Sequence, residues 1–194
     1  MSGNKETLPE SDAFREVICQ PMFSSDECDS LISLHLNNQW RASEIGTRST
    51  KHNHYDPTIR QCKVTPFISL EHLEQIVAKA ITLFPQIEQH ALHFDPEDLP
   101  MVISYVAGDY FHWHVDKGGR GTVAANRALS FSVQLSDSDC YDGGDLELKV
   151  AFSKAQRQYL RQQGNITLFP SSAAHRVSVL KTGIRYAIVG WFHR

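Results

Sequence analysis

At Pro100 the periodicity of this 194-residue chain changes. Downstream of it, "PMVISYV", "FHWHVD", "ALSFSVQLS", "GDLEL", "NITLF", "HRVSVL" and "IRYAIVGWF" read as short strands with a period near two. Turn chemistry separates them at Asp142-Gly143-Gly144, Gly164-Asn165 and Thr182-Gly183. Upstream, two segments carry a helical period instead. Ser24 with Glu27 three residues on is a capping-box pattern, followed by Cys28, Leu31, Ile32 and His35. Leu70, Leu73, Val77, Ala80, Ile81 and Phe84 mark the second helix, with Ser69 as its cap and Pro85 as its stop. Helices followed by a run of short antiparallel strands predict an α+β, mainly β fold, with the helices covering a β-sandwich or barrel.

One strand shows two distinct faces. Leu129, Phe131, Val133 and Leu135 alternate with Ser130, Ser132 and Gln134. The apolar face is expected to pack on the helices. The polar face is expected to line a wet pocket, because buried polar side chains need partners. Between the helices, "RASEIGTRSTKHNHYDPTIRQCK" is polar and rich in turn formers, which predicts a long loop or a pair of weak strands. Residues 1–13 read as a loose tail. A single domain is expected over 14–194, with its strand-rich core from about residue 100 to the end.

The chemistry concentrates in "YVAGDYFHWHVDKGG". His112, His114 and Asp116 fall at alternate positions, which in a regular strand share one face. Read as H-x-H-x-D, the motif resembles a zinc hydrolase site, but Lys117 stands where such a site continues with another His. Read as a cupin box, it lacks the following Glu, since "KGGRG" comes next. Read as H-x-D, His114 and Asp116 need only one distant imidazole to make the 2-His-1-carboxylate set of non-haem Fe(II), which leaves coordination positions open. His175, at the start of "HRVSVL", is a candidate for that imidazole. His112 then reads as a rim or core histidine. If Lys181-Thr182-Gly183 is a hairpin loop, Leu180 pairs with Ile184, Val179 with Arg185 and His175 with Val189. His175 and Arg185 then share a face, and Arg185 can grip the far end of a dicarboxylate bound at the metal.

Four segments together, "YVAGDYFHWHVD", "LSFSVQLSDSDCYDGGDLEL", "ITLFPSSAAHRVSVL" and "GIRYAIVGWF", resemble the Fe(II)/2-oxoglutarate dioxygenases of the prolyl 4-hydroxylase-like superfamily, and within it the bacterial PKHD-type hydroxylases. The matching pattern runs from Tyr105 to Trp191. The resemblance implies a double-stranded β-helix (jelly roll) with N-terminal helices packed on one sheet. It implies Fe(II) held by His114, Asp116 and His175, with O2 and 2-oxoglutarate as co-substrates. It places Arg185 on the distal carboxylate, Tyr105 near the co-substrate, Gln134 or Ser132 as a second carboxylate partner, and Trp191 at the pocket. Phe111 departs from the pattern, where Tyr is commoner. The family's use of the segment before the barrel implies a lid over Glu44 to Arg60, with His54, Tyr55 and Arg60 as substrate contacts.

The activity so implied is hydroxylation of a prolyl or other amino-acid side chain, in a protein or peptide, or of a small metabolite, with release of succinate and CO2. The presence of Asp116 favours hydroxylation over the halogenation of relatives that lack this carboxylate. Two other readings stay open: a silent binding or sensor module of the same fold, and a zinc hydrolase using H-x-H-x-D. Net charge is −3 and no stretch concentrates Lys and Arg, so a nucleic-acid partner is not expected. "RYAIVGW" also lacks the second Arg of oxidative nucleobase demethylases. The polar start "MSGNKETLPESDAF" and the absence of a long apolar run predict a cytoplasmic chain without a membrane span. The cysteines, 19, 28, 62 and 140, have neither zinc-site nor disulfide-framework spacing.

Overall fold

The computed structural model describes residues 17–45, 54–149 and 160–194. The expected tail over residues 1–13 lies outside them, as do residues 46–53 of the polar segment. Two antiparallel sheets face each other. The strands, in chain order, are β1 (Ile18–Pro21), β2 (Arg41–Ala42), β3 (Arg60–Gln61), β4 (Lys63–Pro66), β5 (Met101–Val106), β6 (Tyr110–His114), β7 (Arg127–Gln134), β8 (Tyr141–Gly143), β9 (Leu146–Leu148), β10 (Asn165–Pro170), β11 (His175–Val177) and β12 (Leu180–His193). The large sheet has the order β1-β10-β7-β12-β5-β4-β2, with β8 also paired to β12; the small sheet runs β3-β6-β11-β9. This is the jelly-roll double-stranded β-helix.

Helix α1 (Ser25–Leu36) begins with a complete capping box. Glu27 N–H donates to Ser24 Oγ at 3.3 Å, and Ser24 N–H donates to Glu27 Oε2 at 2.7 Å. Amides that the first turn leaves without helical partners are thereby satisfied. Its buried positions are Cys28, Leu31 and His35. The second helix, α2 (Leu70–Leu83), buries Ile76 and Ala80, while Leu70 is exposed. Ser69 precedes it as expected but does not cap it with its side chain; its hydroxyl pairs with His72 Nδ1 at 2.6 Å. A short α3 (Gln86–Gln89) follows Pro85.

The large sheet has the two faces its sequence pattern requires. Leu129, Phe131 and Val133 of β7 join Val102, Ile166, Leu168, Ile188, Phe192 and the helical residues Cys28, Leu31, Ile76 and Ala80 in one apolar cluster. Each fully buried Leu, Ile or Phe there contributes about 1.5–3 kcal/mol. Register assigns the other face: Tyr105 lies opposite Arg185, and Ser130, Ser132 and Gln134 lie opposite Trp191, Val189 and Ala187. A second cluster, in which Ile103, Tyr105 and Leu180 meet Val177 with Phe111 packed against it, fills the space between the sheets.

The expected hairpin at Lys181-Thr182-Gly183 does not form. All three residues lie inside β12. The chain crosses from the small sheet to the large one at Ser178–Val179, where Ser178 N–H donates to Asp145 O and Gly144 N–H to Val179 O. Gly183 has φ +80°, and a Cβ there would collide with the Cys140 carbonyl. Its glycine serves close contact with β8 rather than a turn. The pairings Leu180–Ile184, Val179–Arg185 and His175–Val189 are therefore replaced. His175 pairs with His114 and Leu148, and Arg185 with Tyr105. His175 and Arg185 belong to opposite sheets.

Candidate active site

A β-bulge builds the centre. His175 of β11 pairs with His114 of β6, but Val177, two residues on, pairs with Phe111, three residues back. The extra residue on β6 breaks the alternation. Phe111 and His114 thus come to one face, with ring centroids 3.4 Å apart and planes at 16°. His112 is expelled to the outside. It is exposed, its N–H donates to Ile59 O at 2.9 Å, and its ring rests 4.7 Å from Tyr110. The expectation that His112 shares the face of His114 is corrected on this ground. An H-x-H-x-D zinc site loses its first ligand with it.

Asp116 follows β6 and is tied down by its backbone. The N–H groups of Asp116 and Lys117 both donate to Ser171 O at 2.9 Å. His114 Nε2 lies 3.6 Å from Asp116 Oδ1, and His175 Nε2 lies 3.5 Å from Asp116 Oδ2. Donor atoms of the three residues all fall within 4.8 Å of one another. Each imidazole is oriented from behind. His114 Nδ1 is 2.8 Å from His112 O, and His175 Nδ1 is 3.0 Å from Ala173 O. A carbonyl can only accept, so both Nδ1 atoms carry the proton and both Nε2 lone pairs point at the cluster. Ser130 Oγ donates to Asp116 Oδ2 at 2.7 Å and contacts Ser171 Oγ at 3.0 Å.

The electrostatics suit a cation. Burial alone would raise the Asp116 carboxyl, but His175, His114 and Arg127 outweigh it and hold the group well below the usual carboxylate range. Burial lowers the His175 imidazole, which keeps it neutral and able to ligate. Two imidazole nitrogens and one carboxylate brought within reach of one another match the donor set of non-haem Fe(II).

Arg185 enters from the opposite sheet and is buried. Its Nε donates to Gln134 Oε1 at 2.9 Å, and its guanidinium carbon is 5.7 Å from the Tyr105 ring centroid. Gln134 Nε2 donates to Ser136 O at 2.8 Å and meets Tyr141 Oη at 3.1 Å. Both ends of the Gln134 amide are engaged, and its Oε1 holds the Arg185 Nε. Among the described residues no carboxylate pairs with Arg185. Gly144, at φ +62°, leaves room for this arm, since a Cβ there would lie 2.6 Å from Leu180 Cδ1 and 3.4 Å from Arg185 Cδ.

The remaining candidates divide. Tyr105 is buried, and burial together with the neighbouring Cys62 pushes its hydroxyl above the usual range. Ser132 and Trp191 share its face of the large sheet. Arg60 is a residue of β3 paired with Phe111; its guanidinium lies 4.6 Å from the Phe111 ring centroid, and its Nε donates to Cys62 Sγ at 3.3 Å. Burial opposes the Arg60 charge, yet Cys62, Tyr105 and Asp116 raise its pKa above the ordinary value. His54 and Tyr55 are exposed. Of the segment 44–60, Ile45 bridges His54, Pro57 O accepts from Tyr110 Oη at 2.7 Å, and Arg60 is pinned in a strand.

Sequence reasoning missed Ser130, Ser171, Arg127 and Asp98. Arg127 lies over the Trp191 ring at 3.4 Å, donates twice to Asp98 at 2.6 Å, and reaches Asp116 O at 3.3 Å. The polar face of β7 was the available signal for Ser130; nothing local marks the Arg127–Asp98 pair, which joins residues 29 apart in the chain.

The profile of a family described as the 2OG-Fe(II) oxygenase superfamily matches residues 100–193. A PKHD-type hydroxylase of Hyphomonas neptunium is 32% identical over 123 residues, covering 61% of this chain and 53% of the relative. Another, from a Synechococcus species, is 29% identical over 163 residues, covering 82% and 66%. The chain thus spans about half to two thirds of the length of these relatives. Its backbone superposes on a Pseudomonas putida prolyl-4-hydroxylase with a TM-score of 0.66 at 18% identity, over 95% of this chain and 96% of that one. A viral collagen prolyl hydroxylase from Paramecium Bursaria Chlorella virus-1 gives 0.63 at 17%, over 94% and 97%. A Trichoplax adhaerens prolyl hydroxylase, solved with a hypoxia inducible factor peptide, gives 0.62 at 17%, over 91% and 83%. The matched stretch contains His114, Asp116, His175 and Arg185, so residues 100–193 of the chain are similar to 2OG-Fe(II) oxygenases, and the relatives it resembles are PKHD-type hydroxylases.

Proposed function

We propose that this chain is an Fe(II)- and 2-oxoglutarate-dependent hydroxylase that couples formation of succinate and CO2 to hydroxylation of an amino-acid side chain or a small metabolite. The observation that carries the reading is the His114–Asp116–His175 cluster facing a buried Arg185 that lacks a carboxylate of its own among the described residues. His114, Asp116 and His175 would hold iron, and Arg185 the distal carboxylate of 2-oxoglutarate. When bound, iron and 2-oxoglutarate supply the oxidising chemistry.

The chain's own part is geometric and electrostatic. His112 O and Ala173 O keep the imidazole Nε2 atoms aimed inward. Ser130 holds one Asp116 oxygen. Gln134 fixes the Arg185 fork, so little side-chain entropy is lost when it grips a carboxylate. Tyr105, Val177 and Leu180 make the space between the sheets apolar, which strengthens each charged contact by excluding water. Trp191, stacked under Arg127, lies opposite Ser130 on the pocket-side face of the large sheet.

The solved relative with a peptide supports a peptide or protein substrate; a free metabolite fits the same centre. Among the described residues no helix is long and apolar enough to cross a membrane. A cytoplasmic location is part of the proposal, and the net charge of −3 supports the absence of a nucleic-acid partner. The test is Fe(II)- and O2-dependent succinate formation across a panel of peptides and metabolites, with product mass measured in parallel. A substrate that gains one oxygen per succinate supports the reading. Failure of any Fe(II)-dependent succinate formation, with or without substrate, would sink it.

A further inference from the structure

Resting on that reading, a second cation in the site has no assigned role. Arg60 is half-buried, and its guanidinium covers the outer face of Phe111, whose own ring is stacked on His114. Its Nε is used by the Cys62 thiol. Among the described residues no carboxylate lies within ion-pair distance, and no acceptor is shown for its two Nη groups. Cys62 in turn packs with Tyr105, whose strand partner is Arg185. The two guanidiniums therefore flank one tyrosine, Arg185 from the large sheet and Arg60 from the edge of the small one.

A desolvated guanidinium without an anion is costly unless a ligand supplies one. The charges indicate how many anions the site takes. Iron brings two positive charges, Arg185 and Arg60 one each, and Asp116 one negative charge. The co-substrate dianion cancels two of the three that remain. One positive charge is left, and Arg60, at the edge of the small sheet, is the cation that no anion among the described residues answers. Phe111 lies between Arg60 and His114, so an anion met by Arg60 would sit beside the metal-ligand cluster.

We propose that Arg60 is the anchor for a carboxylate on the substrate, so that the site selects an acid, with Arg185 reserved for 2-oxoglutarate. Carboxylate is the shared chemistry; it can come from the α-carboxylate of a free amino acid or from an acidic side chain within a peptide. The Nη edge of Arg60 meets it in a charge-assisted pair, while Phe111 and Cys62 hold the fork in place.

The test uses the full chain loaded with Mn(II) and studied by calorimetry, so binding is read without turnover. First, 2-oxoglutarate is titrated into wild type, R185Q and R60Q. Loss of affinity at least tenfold greater in R185Q than in R60Q is expected. Absence of Mn(II)-dependent 2-oxoglutarate binding would overturn the reading on which this inference rests, independently of Arg60. With 2-oxoglutarate saturating, the probes are the proteinogenic L-amino acids as free acids and as amides, and acetylated Asp and Glu amides against their Asn and Gln counterparts. Wild type is expected to bind at least one acid tenfold or more tighter than its neutral form. R60Q should erase that preference, and R60K should keep part of it. Preference among free acids assigns the α-carboxylate, and preference among capped residues assigns the acidic side chain. Equal binding of acid and neutral forms to wild type throughout, or an acid preference that survives in R60Q, overturns the proposal.

Discussion

Phe111 and His114 lie face to face, three residues apart on one strand, with ring centroids separated by 3.4 Å. A regular strand would point them to opposite sides. The bulge opposite His175–Val177 brings them together, and it selects His114 over His112 as the imidazole that meets Asp116. Phe111→Leu is expected to leave the fold intact but weaken Mn(II) binding by about tenfold, as loss of a group that orients a ligand does. Calorimetric titration checks it; unchanged metal affinity would reduce the stack to simple packing.

His112→Ala should keep metal affinity within about twofold, whereas His114→Ala, Asp116→Ala or His175→Ala should reduce it by at least about a hundredfold, beyond what loss of an orienting contact costs. The contrast is read from the same titration. A dead His112→Ala beside an active His175→Ala would restore an H-x-H site.

Ser130→Ala removes the hydroxyl that donates to Asp116 Oδ2. Metal affinity should fall about ten- to a hundredfold, with thermal stability little changed. Ser130→Thr, which keeps the donor, should recover most of it. Equal loss in both variants would mean that volume rather than the hydrogen bond matters.

Arg185→Ala should weaken 2-oxoglutarate binding by about ten- to a hundredfold, the equivalent of about 1.5–3 kcal/mol for a charge-assisted contact, and leave metal binding nearly intact. Gln134→Leu should give a smaller loss of the same kind, because it frees the Arg185 fork without removing it. A Gln134→Leu loss larger than that of Arg185→Ala would make Gln134 the direct ligand.

Ser24→Ala breaks the capping box of α1 and should cost about 1 kcal/mol, lowering Tm by about 2–4 °C in a chain of this size. An unchanged Tm would show that the first turn of α1 frays at no cost.

Much of this was legible in the residues. Alternation along β7 separated a helix-facing side from a pocket side because side chains in a regular strand alternate. Ser24 and Glu27 announced their helix because capping chemistry is local. His114, Asp116, His175 and Arg185 were legible as residues, but the route that brings them together was not. Gly183 looked like a turn, yet its positive φ serves contact with β8 inside a long strand. The crossing at Ser178–Val179 carries no Gly or Pro to mark it. The bulge in β6 is hidden for a related reason: its residues fit a strict period of two, and the extra residue is specified by pairing with β11, which lies about sixty residues away in sequence. The polar face of β7 marks Ser130 but not its partner Asp116, and no local pattern singles out Arg127.

The triad and Arg185 are proposed to form one co-substrate site, with iron held by His114, Asp116 and His175. Anaerobic 2-oxoglutarate titration, with and without Fe(II), tests it most directly. Wild type should bind 2-oxoglutarate at least about tenfold more tightly with Fe(II) than without, a gain of about 1.4 kcal/mol or more, and His175→Ala should lose that gain. Affinity that is the same with and without Fe(II) in the wild-type chain would contradict the account.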